Sequence, residues 1–480
     1  MWQPILMING YIISILGLCM LIPAAYDLYF LRNGNISFAI AAGVTVFIGM
    51  GMFLSNRGKI NKISIKQGYL ITVLSWFLCA LFASLPFLIQ GSITPFCDAF
   101  FEAVSGISGT GATILSDVEK MPRSALLWRS MLNALGGIGI VIFAVALLPF
   151  LGIGGMQIFQ RENSDSDNKF MPKFSYIAKR IIAVFLSLIL LCCVCLHYAG
   201  MDWFDAVNHA MTAAATGGFS TKNNSIAFFA SPKIEFVLCV FMVLGALPMT
   251  FYVMIWQNRE LKSFRTPQIM FFLKTLAVLT AMLFCWLVYT HRYGFFDALR
   301  YALFNVISVV TTTGYSSADF LQWGSFAAAV FFIISFCGGC TGSTAGSVKI
   351  LRWEILWAYM KKNLISAAEP NRIIPLKVGE KNVDDKVVSS VYVFLSAFGL
   401  TAVVGIMLLA ISGTDLFTSI GAVTASITNV GPGVVKKIGP KGNYAEFCAF
   451  AKYVLSAMMM LGRLEIITVL VIFSRSFWQK

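Results

Sequence analysis

Ten apolar runs of about 20 residues or more follow one another with little between them, near 5–25, 36–55, 66–89, 124–151, 176–199, 232–257, 268–290, 321–350, 387–411 and 444–473. A helix rises about 1.5 Å per residue, so each run is long enough to cross the roughly 30 Å of hydrocarbon in a bilayer. With 58% hydrophobic and only 12% charged residues, nothing is left for a separate soluble domain. The expected fold is an all-α polytopic membrane protein of about ten transmembrane helices.

The net charge of +14 does not point to nucleic acid, because its Lys and Arg residues gather in short connections: Asn56–Lys66, the region of Arg161–Arg180, Asn258–Arg265 and Lys349–Lys386. Basic loops that alternate with non-basic ones are a topology signal, and they place these loops and both termini in the cytoplasm. Most of the eleven cysteines lie inside apolar runs, where a small polarisable side chain packs well. Met1–Ala25 lacks a basic region and a small-residue cleavage pattern, so it reads as an uncleaved first helix.

On the opposite side, four moderately apolar stretches are too short to span: 96–115, 203–221, 295–316 and 415–433. Each sits between two crossings, which gives the unit span, short helix, irregular polar strand, span. Taking one glycine from each puts Phe101–Gly111 (FEAVSGISGTG), Val207–Gly217 (VNHAMTAAATG), Phe304–Gly314 (FNVISVVTTTG) and Gly421–Gly431 (GAVTASITNVG) in register. The steps are 217 − 111 = 106, 314 − 217 = 97 and 431 − 314 = 117 residues, a repeat of whole membrane modules. The expected division is two leading helices (1–60) and four modules around one central pore (61–160, 161–262, 263–362 and 363–480). Asp98, Asp205, Asp297 and Asp415 stand near the starts of the short helices, where a carboxylate favours the amide end.

Lipid does not tolerate irregular backbone of the kind Thr311–Ser317 implies, since each unpaired amide or carbonyl costs several kcal/mol in hydrocarbon, so these strands must line water or protein. A glycine permits positive φ and lets consecutive carbonyls face one axis. Four such strands make an oxygen cage able to replace the water shell of a monovalent cation. Each short helix also aims its carboxyl end, carrying about half a negative charge, at the centre of the membrane. No side-chain carboxylate is then needed, and 105–115 and 424–433 contain none. Backbone selection of this kind favours a large, weakly hydrated ion such as K+.

The fourfold repeat with a glycine in each loop, together with Trp128–Gln157 (WRSMLNALGGIGIVIFAVALLPFLGIGGMQ), resembles the Trk/Ktr/HKT superfamily of bacterial and plant cation transporters across essentially the whole chain. The two leading spans point to its TrkH branch. The resemblance implies a multi-pass protein of the bacterial inner membrane that takes up K+ as a homodimer with one pore per subunit, gated by a cytosolic nucleotide-binding (TrkA-like) regulatory subunit. It implies K+ as the transported ion, with no organic cofactor in this chain. Position by position, the filter carbonyls fall on Gly109, Thr110 and Gly111; Ala215, Thr216 and Gly217; Thr312, Thr313 and Gly314; and Asn429, Val430 and Gly431. A glycine at Gly111, where Na+-preferring members carry serine, supports K+.

Two further features lie lower in the expected pore. Arg463, within Met458–Leu470 (MMMLGRLEIITVL), is an intramembrane arginine that must face a cavity or a partner such as Glu465. In the family the matching arginine lies in the ion path. Cys337–Lys349 (CGGCTGSTAGSVK), with Gly338, Gly339, Gly342, Ser343 and Gly346, cannot hold a straight helix, and the resemblance makes it an intramembrane gate. Cys337 and Cys340 form a CxxC without a second pair, which argues against a metal. His197, His209 and His291 read as packing residues. No nucleophile stands beside a base, which argues against catalysis. A competing reading is a Na+- or H+-coupled transporter of another solute or of Na+, since broken spans also mark those; four parallel modules argue against its usual two inverted halves. The basic stretches Lys349–Lys386 and Arg161–Lys173 are the expected docking surface for the regulator.

Overall fold

The computed structural model describes residues 2–31, 36–58, 64–146, 170–258, 266–372, 374–379 and 381–479. Of the basic connections, 59–63, 161–169 and 259–265 lie outside the described residues. So does 147–155 of the glycine-rich Gly136–Gly155 stretch. Among the described residues the regular structure is helical apart from one antiparallel pair, Lys377–Val378 with Lys381–Asn382.

Seven helices are long and apolar enough to cross a membrane unbroken: Trp2–Tyr29, Ser37–Ser55, Ile65–Gln90, Arg123–Phe143, Tyr176–Tyr198, Pro267–Tyr289 and Asp385–Ile411. The remaining three expected spans are interrupted. Pro232–Ala246 and Met249–Trp256 meet at 87°, and Ala449–Arg463 and Ile466–Phe473 meet at 109°. In the third, Ser325–Ile334 is separated from Ile350–Ala368 by irregular chain. The sequence reading expected only this last break. The first bend follows from Pro248, which has no N–H to donate and forces Leu247 into an extended conformation (φ −80°, ψ 157°). The second falls at Glu465, whose φ of 61° lies outside any helix.

Four short helices, Phe96–Ser108, Trp203–Ala214, Phe295–Val310 and Leu416–Ile427, do not span. We call them pore helices one to four. Each packs on a long helix before it in the chain. The first three also pack on the inner helix of the preceding unit: pore helix one on Ala449–Arg463, two on Arg123–Ala146 and three on Pro232–Ala246. Contact between the first unit and the last closes the four into a ring.

The acidic residues at the pore-helix starts divide their work differently from the sequence expectation. Asp415 caps pore helix four, accepting from Thr418 N at 2.9 Å. In unit two the cap is Asp202, which accepts from Phe204 N at 3.1 Å. Asp98, Asp205 and Asp297 instead form ion pairs with Lys452, Lys222 and Arg300 at 2.7, 3.2 and 3.3 Å.

Candidate functional site

Each pore helix ends on a residue with left-handed backbone: Gly109 (φ 66°), Thr216 (49°), Thr312 (58°) and Asn429 (55°). The N–H of that residue and of the next return to the helix. Gly109 N and Thr110 N donate to Gly106 O and Ser105 O, Thr216 N and Gly217 N to Ala213 O and Thr212 O. Thr312 N and Thr313 N donate to Val309 O and Ser308 O, Asn429 N and Val430 N to Ser426 O and Ala425 O. These paired bonds are Schellman-type caps that satisfy carbonyls the helix would otherwise leave open. Two residues after the first left-handed position comes a second: Gly111 (78°), Gly218 (72°), Gly314 (82°) and Gly431 (91°).

Both signatures shift the second unit by one residue. The counterpart of Gly111, Gly314 and Gly431 is Gly218, not Gly217, and the matching triplet is Thr216, Gly217 and Gly218. Ala215 remains in right-handed helical conformation as the C-cap (φ −82°, ψ −4°) and drops out of the set. The other three triplets keep the register expected from sequence.

The four second glycines interlock around one axis. A Cβ added at Gly111 would overlap Gly217 O, one at Gly218 would overlap Thr313 O, one at Gly314 would overlap Val430 O, and one at Gly431 would overlap Thr110 O. Each unit therefore lays its glycine against the carbonyl of the next, and the fourth returns to the first. Any side chain here would be strained by its φ and would also collide with a neighbouring main chain.

Below this ring lies the irregular stretch 335–349. Its Gly346 N donates to Thr312 Oγ1 at 2.7 Å, and Thr344 Oγ1 donates to Ala214 O at 3.1 Å or Gly245 O at 3.0 Å. Gly338 and Gly342 are left-handed (72° and 79°), Gly339 packs against Ala246, and Ser343 Oγ donates to Cys340 O. Beneath is a small cavity lined by residues that include Ser343, Gly346, Lys349, Gly462, Arg463 and Glu465. Arg463 is buried, and none of its three guanidinium nitrogens has a hydrogen-bond partner among the described residues. Its Nη2 would stand 3.3 Å from a Cβ on Gly109, directly under the first strand. The alternative partner Glu465 is taken, for it pairs with Arg352. Lys349 Nζ reaches Ala345 O, which brings a second buried cation to the cavity wall.

Residues 36–480 match the family model described as TrkH, Cation transport protein. The chain is 34% identical to "Trk system potassium uptake protein TrkH" of Halomonas elongata over 99% of both chains, and 32% identical to the Escherichia coli K12 protein of the same name over 100% of both. The crystal structure of the potassium transporter TrkH from Vibrio parahaemolyticus superposes with a TM-score of 0.93 at 32% identity, covering 100% of each chain. The chain belongs to the TrkH family of cation transport proteins. Its apolar helices and full-length kinship make it a multi-pass protein of the inner membrane.

In this TrkH-family chain the ring is held by groups that sequence reasoning passed over. Glu102, fully buried on pore helix one, accepts from Arg129 Nε (2.8 Å), Thr113 Oγ1 (2.9 Å) and Ile114 N (3.0 Å). Arg129 continues to Ser220 O (3.1 Å) and lies over the Phe219 ring at 4.1 Å, so one buried ion pair joins the strands of units one and two. Asn133, one helical turn further, donates to Gly106 O at 2.7 Å. Tyr444 OH donates to Gly431 O at 2.9 Å, and Tyr315 OH contacts Thr212. His209, expected only to pack, joins Asp205 O (2.8 Å) to Ser220 Oγ (2.9 Å). A charged residue in an otherwise apolar span marks Arg129 as clearly as it marks Arg463.

Proposed function

We propose that this chain takes up potassium through the ring of strands, with the carbonyls of Gly109–Gly111, Thr216–Gly218, Thr312–Gly314 and Asn429–Gly431 replacing the ion's hydration shell. The observation that carries the reading is the cyclic interlock of Gly111, Gly218, Gly314 and Gly431 with the carbonyls of the neighbouring units. An oxygen cage on one axis, at the negative ends of four helices, suits a dehydrated monovalent cation and needs no carboxylate. The potassium transport stated for the relatives agrees with it.

In this reading the stretch 335–349, with Gly338, Gly339, Gly342, Ser343 and Gly346, is the gate, and Arg463 is an electrostatic barrier in the path that a passing cation must offset. The chain works as a homodimer in lipid, and a cytosolic nucleotide-binding subunit docks on the basic face of Lys349–Lys386. The test is rescue of a K+-uptake-deficient bacterium on low K+. The native chain restores growth and Gly314→Ser does not, because its left-handed backbone and the nearby Val430 O exclude a side chain. Equal growth with both chains would reject the filter.

A further inference from the structure

The four residues at the base of the strands, Gly109, Thr216, Thr312 and Asn429, are all met from below. Thr312 Oγ1 accepts the Gly346 N–H at 2.7 Å. Thr216 Oγ1 lies 3.2 Å from Thr344 Oγ1, which is itself tied to Ala214 O and Gly245 O. Gly346 also lies against unit four, since a Cβ on it would stand 2.9 Å from Asn429 Cβ and 3.0 Å from Thr428 O. Arg463 covers Gly109. The loop and the arginine together occupy the underside of every strand.

We propose that the closed loop and a cation at the innermost position of the filter compete for the hydroxyl oxygen of Thr312, so that the transported ion is itself an effector of the gate. This rests on the filter reading above.

A threonine hydroxyl is a neutral oxygen ligand suited to a weakly hydrated monovalent cation. In the closed arrangement the Gly346 N–H takes one of the two lone pairs of Thr312 Oγ1, a position that a cation bound to the same oxygen would contest. A cation at that position weakens the Gly346 bond, and a made Gly346 bond weakens cation binding. The two effects are equal by linkage. The loop meets the base of the strands through few hydrogen bonds, and losing one neutral hydrogen bond changes an equilibrium about 5-fold. Uptake should then rise more steeply with cation concentration than simple saturation, because early ions open the path for later ones.

The test uses the full chain in phosphatidylethanolamine/phosphatidylglycerol vesicles, with two readouts. In the first, hydrogen–deuterium exchange of the Gly342–Val348 segment is compared in saturating K+ and in N-methyl-D-glucamine. Exchange should be about 5-fold faster in K+. In the second, Rb+ influx is measured against Rb+ concentration. Thr344→Val, which loses the hydroxyl that ties the loop to Ala214 O and Gly245 O, should raise influx at low Rb+ about 5-fold and flatten the curve toward simple saturation. Thr312→Val should abolish the K+ dependence of exchange, and Thr312→Ser, which keeps the hydroxyl, should restore it. Exchange that is the same with and without K+, in a chain that still passes Rb+, overturns the competition and leaves the filter standing. A native chain that passes no Rb+ under any condition overturns both.

Discussion

The four glycine strands and the loop 335–349 are both irregular, glycine-bearing backbone between helices, yet they are held in opposite ways. Each glycine strand is fastened first to its own pore helix by two cap bonds, then to a neighbour by the glycine–carbonyl interlock. The loop is fastened mostly to others. Cys340 N donates to Ala246 O, Thr344 N to Gly245 O, and Met249 N to Gly342 O, all across to the broken inner helix of unit two. Where the partners lie decides what such a backbone can do. Bonds that stay inside a rigid unit make a scaffold, and bonds that cross between units can be exchanged for others, which is what a latch requires.

Removing the scaffold's charge should therefore have the largest effect. Arg129→Ala leaves Glu102 buried without its counter-charge, a change that costs about 3–5 kcal/mol. We expect a marked fall in thermal stability of the purified protein, with part of it recovered in Glu102→Gln/Arg129→Met, which buries no charge. A melting temperature unchanged in Arg129→Ala would show that this ion pair is not what fixes the strands, and the contrast with the loop would lose its basis.

The repeat, the short helices and the glycine in each loop were legible because period, length and composition carry them. The register of unit two was not. Thr216-Gly217-Gly218 offers two adjacent glycines, and the choice is made by cap bonds from Thr216 N and Gly217 N that no pattern of residue types displays. The bend at Pro248 follows the usual proline rule, but the long apolar run around it reads as one continuous span. Glu102 and Arg129 sit 27 positions apart, and their pairing exists only once pore helix and inner helix are packed.

Substitution of the two glycines separates the registers. Gly218→Ala meets both a left-handed φ and the fixed carbonyl of Thr313, so Rb+ uptake should drop on the order of tenfold, the effect of one to two kcal/mol of backbone strain at the ring. Gly217→Ala has no positive φ and meets the side chain of Asn133, not a neighbouring carbonyl, at the cost of disturbing the Asn133 bond to Gly106 O. Its loss should be smaller. The reverse order would restore the register read from the repeat.

The smallest effect is expected at the start of pore helix four, which Asp415 caps. The Thr418 N–H, followed by the Thr418 side chain, holds the Asp415 carboxyl below the usual carboxylate range. A carboxyl whose folded pKa is depressed stabilises the fold at pH above its unfolded value, and that contribution is lost as pH falls through the folded value. Asp415→Asn keeps an accepting oxygen and should hold its melting temperature through acid pH. Asp415→Ala should melt slightly lower at neutral pH, and the gap to the native chain should close as pH drops below the carboxylate range. Because the cap bond stays within pore helix four, neither substitution should change the Rb+ concentration at half-maximal uptake. A shift in that value would mean that a bond kept inside one unit is nevertheless felt by the path of the ion.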